Sequence, residues 1–141
     1  MIWCGIDVGS NTGLAVWDGG RREFLLVATL PLWKALQTVD SLAELHKGDM
    51  TVVFEDARRR TWLPQEKNLS EYRGKLMGAG SVKRDSVIWQ EFLQDNGIPF
   101  QHPGPHKGMT KWKADTFAAV TGYRGRTSEH ARDAALLVFG R

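Results

Sequence analysis

Three places in this sequence interrupt an apolar pattern with groups able to do acid–base or metal chemistry. Asp7 stands among Ile2, Trp3, Cys4, Ile6 and Val8, in a stretch that reads as a buried strand. A carboxylate there is costly unless it is paired, hydrogen-bonded or bound to a cation. Glu55, with Asp56 beside it, closes the β-branched run Thr51-Val52-Val53-Phe54. His130 and Asp133 lie three apart in Glu129-His130-Ala131-Arg132-Asp133-Ala134-Ala135, which puts them on one face of a helix. The small alanines let that helix lie close to whatever it packs on. Several carboxylates and an imidazole brought together repel one another unless divalent cations hold them. An oxygen-rich set of this kind suits Mg²⁺ or Mn²⁺ better than zinc. Two such ions about 4 Å apart clamp the attacking and leaving oxygens of a phosphodiester.

The elements that must position these groups can be read in order. Residues 2–8 form a first strand, the glycine-bounded turn Gly9–Gly13 follows, and residues 13–18 form a second strand. Glu23 to Thr29 gives a third. Pro31 opens a helix to His46, marked by Leu32, Leu36, Val39 and Ala43 at spacings of four and three. Thr51–Phe54 is a short buried strand. Ala57 to Gly80 is the least regular part and reads as loop. A helix spans Ser81 to Asn96, Gly97 stops it, and Ile98-Pro99-Phe100 is a short strand. Helices near Lys111–Thr121 and Ser128–Phe139 end the chain, with Ser128 as N-cap. The order βββ-α-β-α-β-α-α predicts one α/β domain over residues 1–141, a mixed five-stranded sheet flanked by helices. Strands one and four then adjoin, bringing Asp7 to Glu55, and the last helix adds His130 and Asp133.

Composition narrows the class. Hydrophobic residues make up 42% and charged residues 25%, the balance of an ordinary globular domain. The single cysteine, Cys4, excludes an internal disulfide framework and a Cys-rich zinc site. No apolar run reaches the roughly 20 residues of a membrane span. The chain enters strand-like sequence without a basic leader, so a cytoplasmic location is expected. The formal charge of +3 is unevenly spread. Residues 1–56 carry 4 basic and 8 acidic side chains, whereas residues 57–84 carry 8 basic and 2 acidic, and residues 103–126 carry 5 basic and 1 acidic. Acids in the core half and bases in loop-like segments suit a polyanion, though such runs also serve as plain solvated surface.

The Gly-Ile-Asp-x-Gly-Ser strand-turn, the strand ending in Glu55 and the His130-x-x-Asp133-Ala helix resemble the RuvC family of Holliday-junction resolvases, within the ribonuclease H-like superfamily. The likeness runs through the whole element order, and the short, divergent middle looks most like phage-encoded members. It implies a ribonuclease H-like fold and a crossover-junction endodeoxyribonuclease that hydrolyses phosphodiesters in four-way or branched DNA. By motif match, Asp7, Glu55, His130 and Asp133 are the metal-binding and catalytic set. Mg²⁺ is the implied cofactor, with Mn²⁺ able to substitute, and no organic cofactor or membrane is implied. His130 stands where many members carry Asp, and Asp56 is a fallback ligand. The family's phosphate-contacting lysine falls in the interval holding Lys107, Lys111 and Lys113, with Lys113 placed best.

The resemblance further implies that Arg58, Arg59, Arg60 and Trp62 belong to a loop entering the junction centre, where arginines bind phosphates and an aromatic stacks on a base. Trp62 is also readable as a core residue. Lys83 and Arg84 would extend the positive track. The long helix resembles the one that pairs two copies, so a homodimer is expected, in host cytoplasm for a phage-encoded protein. Two other readings stay open. One is a non-catalytic branched-DNA-binding protein, and the other is a ribonuclease H-like nuclease acting on RNA–DNA hybrids. The first motif also resembles the phosphate-binding hairpin of actin-like ATPases, but those need a second domain.

Overall fold

The structure is a computed structural model that describes residues 1–60, 69–105 and 111–141. Strands β1 (Ile2–Asp7), β2 (Asn11–Asp18) and β3 (Glu23–Pro31) lead into helix α1 (Leu32–Leu45). Strand β4 (Met50–Phe54) ends in a 3₁₀ turn at Ala57–Arg59, and α2 (Leu69–Asp95) precedes β5 (Phe100–Gln101). Helices α3 (Ala114–Thr121) and α4 (Glu129–Leu136) follow. The five strands form one mixed sheet in the order β3-β2-β1-β4-β5. The hairpins make β1–β2 and β2–β3 antiparallel. The β1–β4 and β4–β5 pairs, whose connections pass through α1 and α2, are parallel, as helical crossovers require.

Alternation along the strands divides the core in two. Cys4, Ile6, Leu14, Val16, Val52 and Phe54 pack one face of the sheet against α1 and α2, through Ala35, Val39, Trp89 and Leu93. Ala15, Trp17, Val27 and Val53 pack the other face against α3 and α4, through Phe117, Ala131, Ala134 and Ala135. Cys4 is fully buried, and burial pushes its thiol up to about 12. It is a core residue.

The seating of α4 depends on two glycines. A Cβ at Gly13 would stand 1.9 Å from the carbonyl oxygen of His130, and one at Gly5 would stand 2.1 Å from that of Ala134. These obstacles are backbone, so no rotamer change relieves them. Residues with side chains at those two positions would lift α4 off the sheet.

The element order matches the sequence expectation, with shifted limits. β2 begins at Asn11, so the turn after β1 is shorter than Gly9–Gly13. The largest correction is α2, which begins at Leu69 rather than Ser81. Gly74, Gly78 and Gly80 read as loop, yet they alternate with good helix formers such as Glu71, Arg73, Lys75 and Leu76. A Cβ at any of the three meets nothing within 4 Å. The first four turns of α2 bury no residue fully, and full burial begins at Asp85, so the core signal used to find the helix is missing from them. β5 lies at Phe100–Gln101 rather than Ile98–Phe100, because Ile98 N–H donates to Leu93 O (2.9 Å) and belongs to the end of α2. α3 begins at Ala114 and α4 ends at Leu136, each shorter than its apolar pattern. Among the described residues no helix is long and apolar enough to cross a membrane.

Overpacking against fixed backbone costs about 1–3 kcal/mol, so Gly13→Ala should lose about that much in urea unfolding. Gly74→Ala, exposed and unobstructed, should instead gain roughly 0.5–1 kcal/mol.

Candidate active site

The glycine contact delivers α4 to the end of β1. His130 Nδ1 lies 2.8 Å from Asp7 Oδ2, the ring N–H donating to the carboxylate. That bond makes Nε2 the acceptor nitrogen of the neutral ring. Ser128 caps the helix by accepting from Ala131 N–H at 3.2 Å, as expected, and its hydroxyl also bonds Thr29 on β3. The helix start is therefore tied both to its own first turn and to the sheet.

Asp7 and Asp133 are partly buried, at 29% and 23% side-chain exposure. Burial pushes the Asp7 carboxyl above its ordinary range, and nearby Asp133 pushes the same way. The hydrogen bond from His130 and the charge of Lys111 oppose this. Lys111 bonds Glu129 and lies 3.4 Å from Asp133 Oδ2. The bond to Glu129 raises the affinity of the lysine for its proton and lowers that of the glutamate. Glu55 follows Phe54, whose register partner is Ile6, so it stands one step on, beside Asp7.

The donor set at this end of the sheet is Asp7, Glu55, Glu129 and Asp133 oxygens with one imidazole nitrogen. It fits a hard divalent cation such as Mg²⁺ or Mn²⁺ by ligand type. Among the described residues, no three His, Cys, Asp or Glu side chains stand close enough together as placed to hold an ion.

Asp56 does not serve as the fallback ligand. It is 2% exposed and its carboxylate is committed elsewhere. Oδ1 accepts from Arg58 N–H (3.0 Å) and Nε (2.8 Å), while Oδ2 accepts from Arg58 Nη2 (2.7 Å) and His102 Nδ1 (3.1 Å). Continuing the alternation of β4 past Phe54, it faces the α1/α2 side of the sheet, away from Asp7. Arg58 also bonds Gln90 on α2, so this guanidinium joins the end of β4 to the long helix. Its Nε and Nη2 donors are thus used inside the protein, while a third of the side chain stays exposed.

Arg59 Nη2 approaches His102 Nε2 at 3.4 Å, and Arg60 follows it in the exposed turn. Lys83 and Arg84 are exposed on α2, with Arg84 Nη2 3.5 Å from the buried Asp85. Lys113 occupies the N-cap position of α3 without a side-chain cap bond. Lys111 is thus the described lysine placed against the acidic cluster. Trp62 and Lys107 lie outside the described residues. Glu129, Asp56 and His102 were not singled out from sequence for the parts they play. The Asp-x-Arg spacing at Asp56 was a readable sign of a side chain capping its own turn. His102 carried no such sign.

A scan against protein-family models matches none, and a search of curated proteins returns no significant relative.

Asp56→Ala would leave the donors of Arg58 and His102 without their acceptor. Hydrogen bonds to charged groups are worth roughly 1.5–3 kcal/mol, so a loss of about 2–3 kcal/mol is expected by denaturant titration. Arg58 holds the carboxyl well below the usual carboxylate range. Its contribution is therefore complete above the unfolded value of about 3.9 and fades as pH falls toward the depressed folded value. Comparing wild type with Asp56→Asn between pH 6 and acid checks the sign: the gap in stability should close as pH falls.

Proposed function

We propose that this chain is a metal-dependent, ribonuclease H-like endonuclease of RuvC type that cuts four-way or otherwise branched DNA, acting as a homodimer. The observation that carries the reading is the Asp7–His130 hydrogen bond with Asp133 beside it, held at the end of a strand paired to the one that delivers Glu55. Asp7, Glu55 and Asp133 would hold Mg²⁺, with Mn²⁺ able to replace it. When bound, the ion would polarise the phosphodiester and ease attack by water. His130, its Nδ1 committed to Asp7, would offer Nε2 as a proton acceptor within the site. Lys111 takes the place first given to Lys113 as the lysine nearest the reacting phosphate, because its ammonium lies against Asp133.

Arg59 and Arg60 in the exposed turn, with Lys83 and Arg84 on α2, provide cations for the flanking backbone. The exposed Leu69, Leu76 and Met77 on α2 support pairing of two copies through that helix.

The test is incubation of end-labelled four-way junction, Y-fork, RNA–DNA hybrid and plain duplex with Mg²⁺ or EDTA. Paired symmetric nicks in the junction are expected, abolished by EDTA. Asp7→Asn should slow cleavage at least about a hundredfold while junction binding persists. Affinity should fall by about 10³ or more between roughly 50 and 200 mM salt if the phosphate contacts reach the usual number. Binding without cleavage in Mg²⁺ and Mn²⁺ would make the protein a structural DNA binder. Cleavage confined to the RNA strand of the hybrid would keep the chemistry and change the substrate.

A further inference from the structure

Lys111 is 65% exposed, yet its ammonium is not left to water. It bonds Glu129, lies 3.4 Å from Asp133 Oδ2, and its charge is felt by Asp7. Glu129 and Asp133 are four residues apart on α4, one turn above the other on the same face, and Asp7 reaches the cluster from β1. Two carboxylates thus share one flexible cation, and Asp7 lies within reach of its charge. A single exposed ion pair would hardly order a lysine side chain against its conformational entropy. What singles out this ammonium is the like-charge crowding it relieves.

We propose that Lys111 is the built-in counter-cation of the acidic site. Its ammonium occupies ground between Glu129 and Asp133 for which a divalent cation competes, so Lys111 sets the metal concentration at which the site fills. The inference deepens the metal-dependent reading above and rests on it.

The surrounding geometry makes the exchange local. Arg132, on the same helix between Glu129 and Asp133, donates from Nε to the carbonyl of Trp112 at 2.8 Å. Its Nη1 donates to the carbonyl and hydroxyl of Thr127 at 3.0 and 3.1 Å. The main chain next to Lys111 is therefore fastened to α4 itself. Surrendering Glu129 and Asp133 requires the lysine side chain to swing, with no movement of backbone or helix. An oxygen-binding divalent ion offers those carboxylates a larger charge at shorter range than an ammonium does. Competition then runs in the ion's favour once its concentration suffices.

Manganese binding, followed by calorimetry on the full chain in metal-free buffer, separates this role from catalysis. Lys111→Met removes the charge from an exposed position and keeps the length of the stem, so the fold is retained. Its affinity for Mn²⁺ should exceed that of wild type about three- to tenfold, the size expected for losing a partly screened competitor. Lys111→Arg, which keeps the charge, should stay within about twofold of wild type. Mn²⁺ binding by Lys111→Met where wild type shows none would also support the proposal. Wild-type binding with Lys111→Met equal or weaker overturns the proposal and leaves the metal-dependent reading standing. Absence of Mn²⁺ binding by both proteins overturns the two together. Junction cleavage by wild type in Mg²⁺ then reports on the nuclease reading separately.

Discussion

The arrangement depends on backbone lying against backbone where α4 crosses β1 and β2. The carbonyls of His130 and Ala134 occupy the space that side chains at Gly13 and Gly5 would fill. On the helix side the matching residues are Ala131, Ala134 and Ala135, all buried. A helix this close has little freedom to slide or tilt, because interiors are packed to near crystal density and rigid backbone cannot be repacked. The side chains at its N-terminal end inherit that precision. His130 meets Asp7 because the turn of helix carrying it is pressed onto the glycine directly opposite Asp7 in the β1–β2 register. Distances in the site are set by the sheet rather than by a loop.

The parallel pairing of β1 with β4 supplies the second constraint. It brings the ends of two non-sequential strands together, and period-two alternation then gives adjacent residues opposite duties. Glu55 takes the face shared by Asp7 and α4. Asp56, one residue later, turns to the other face and is enclosed by Arg58 and His102. Two neighbouring acids that look interchangeable in sequence are thus separated by the pleat. The buried one fixes the chain where β4 ends, since its N–H donates to Pro103 O at 2.8 Å and its side chain caps the 3₁₀ turn. Arg58 carries that anchorage to Gln90 on α2. The strand end and the long helix are fastened by one guanidinium, so Arg58 carries a structural duty within the basic run.

The sheet, its strand adjacency and the face shared by His130 and Asp133 were legible in the sequence because each is written in apolar periodicity. The N-cap Ser128 was legible too, from a residue type that helix starts select. The first half of α2 was not, since it has exposed residues and three glycines where a core stripe would be. The partners of Asp56 were hidden for a different reason. His102 reaches it from 46 positions away, and a contact over that distance follows from sheet order rather than local pattern. Lys111 and Lys113 are basic residues of one segment, and the sequence favoured Lys113 for its place at a helix start. Only the placement of α4 separates them, by setting Glu129 and Asp133 beside the first.

Charge distribution links these layers. The acids cluster where strand ends and a helix start converge, and partial burial makes their mutual repulsion count for more than it would in water. Such a site needs positive charge to be compatible with a folded protein. The ammonium of Lys111, set between Glu129 and Asp133, supplies it, while the imidazole of His130 satisfies Asp7 through a ring N–H. The two differ in kind. His130 sits on the helix that the glycines hold down, so its position is part of the fold. Lys111 is joined to the cluster by a flexible stem and is mostly exposed. Of the two partners of the acids, the lysine is the one that can yield its place to an incoming cation without disturbing the contact between α4 and the sheet.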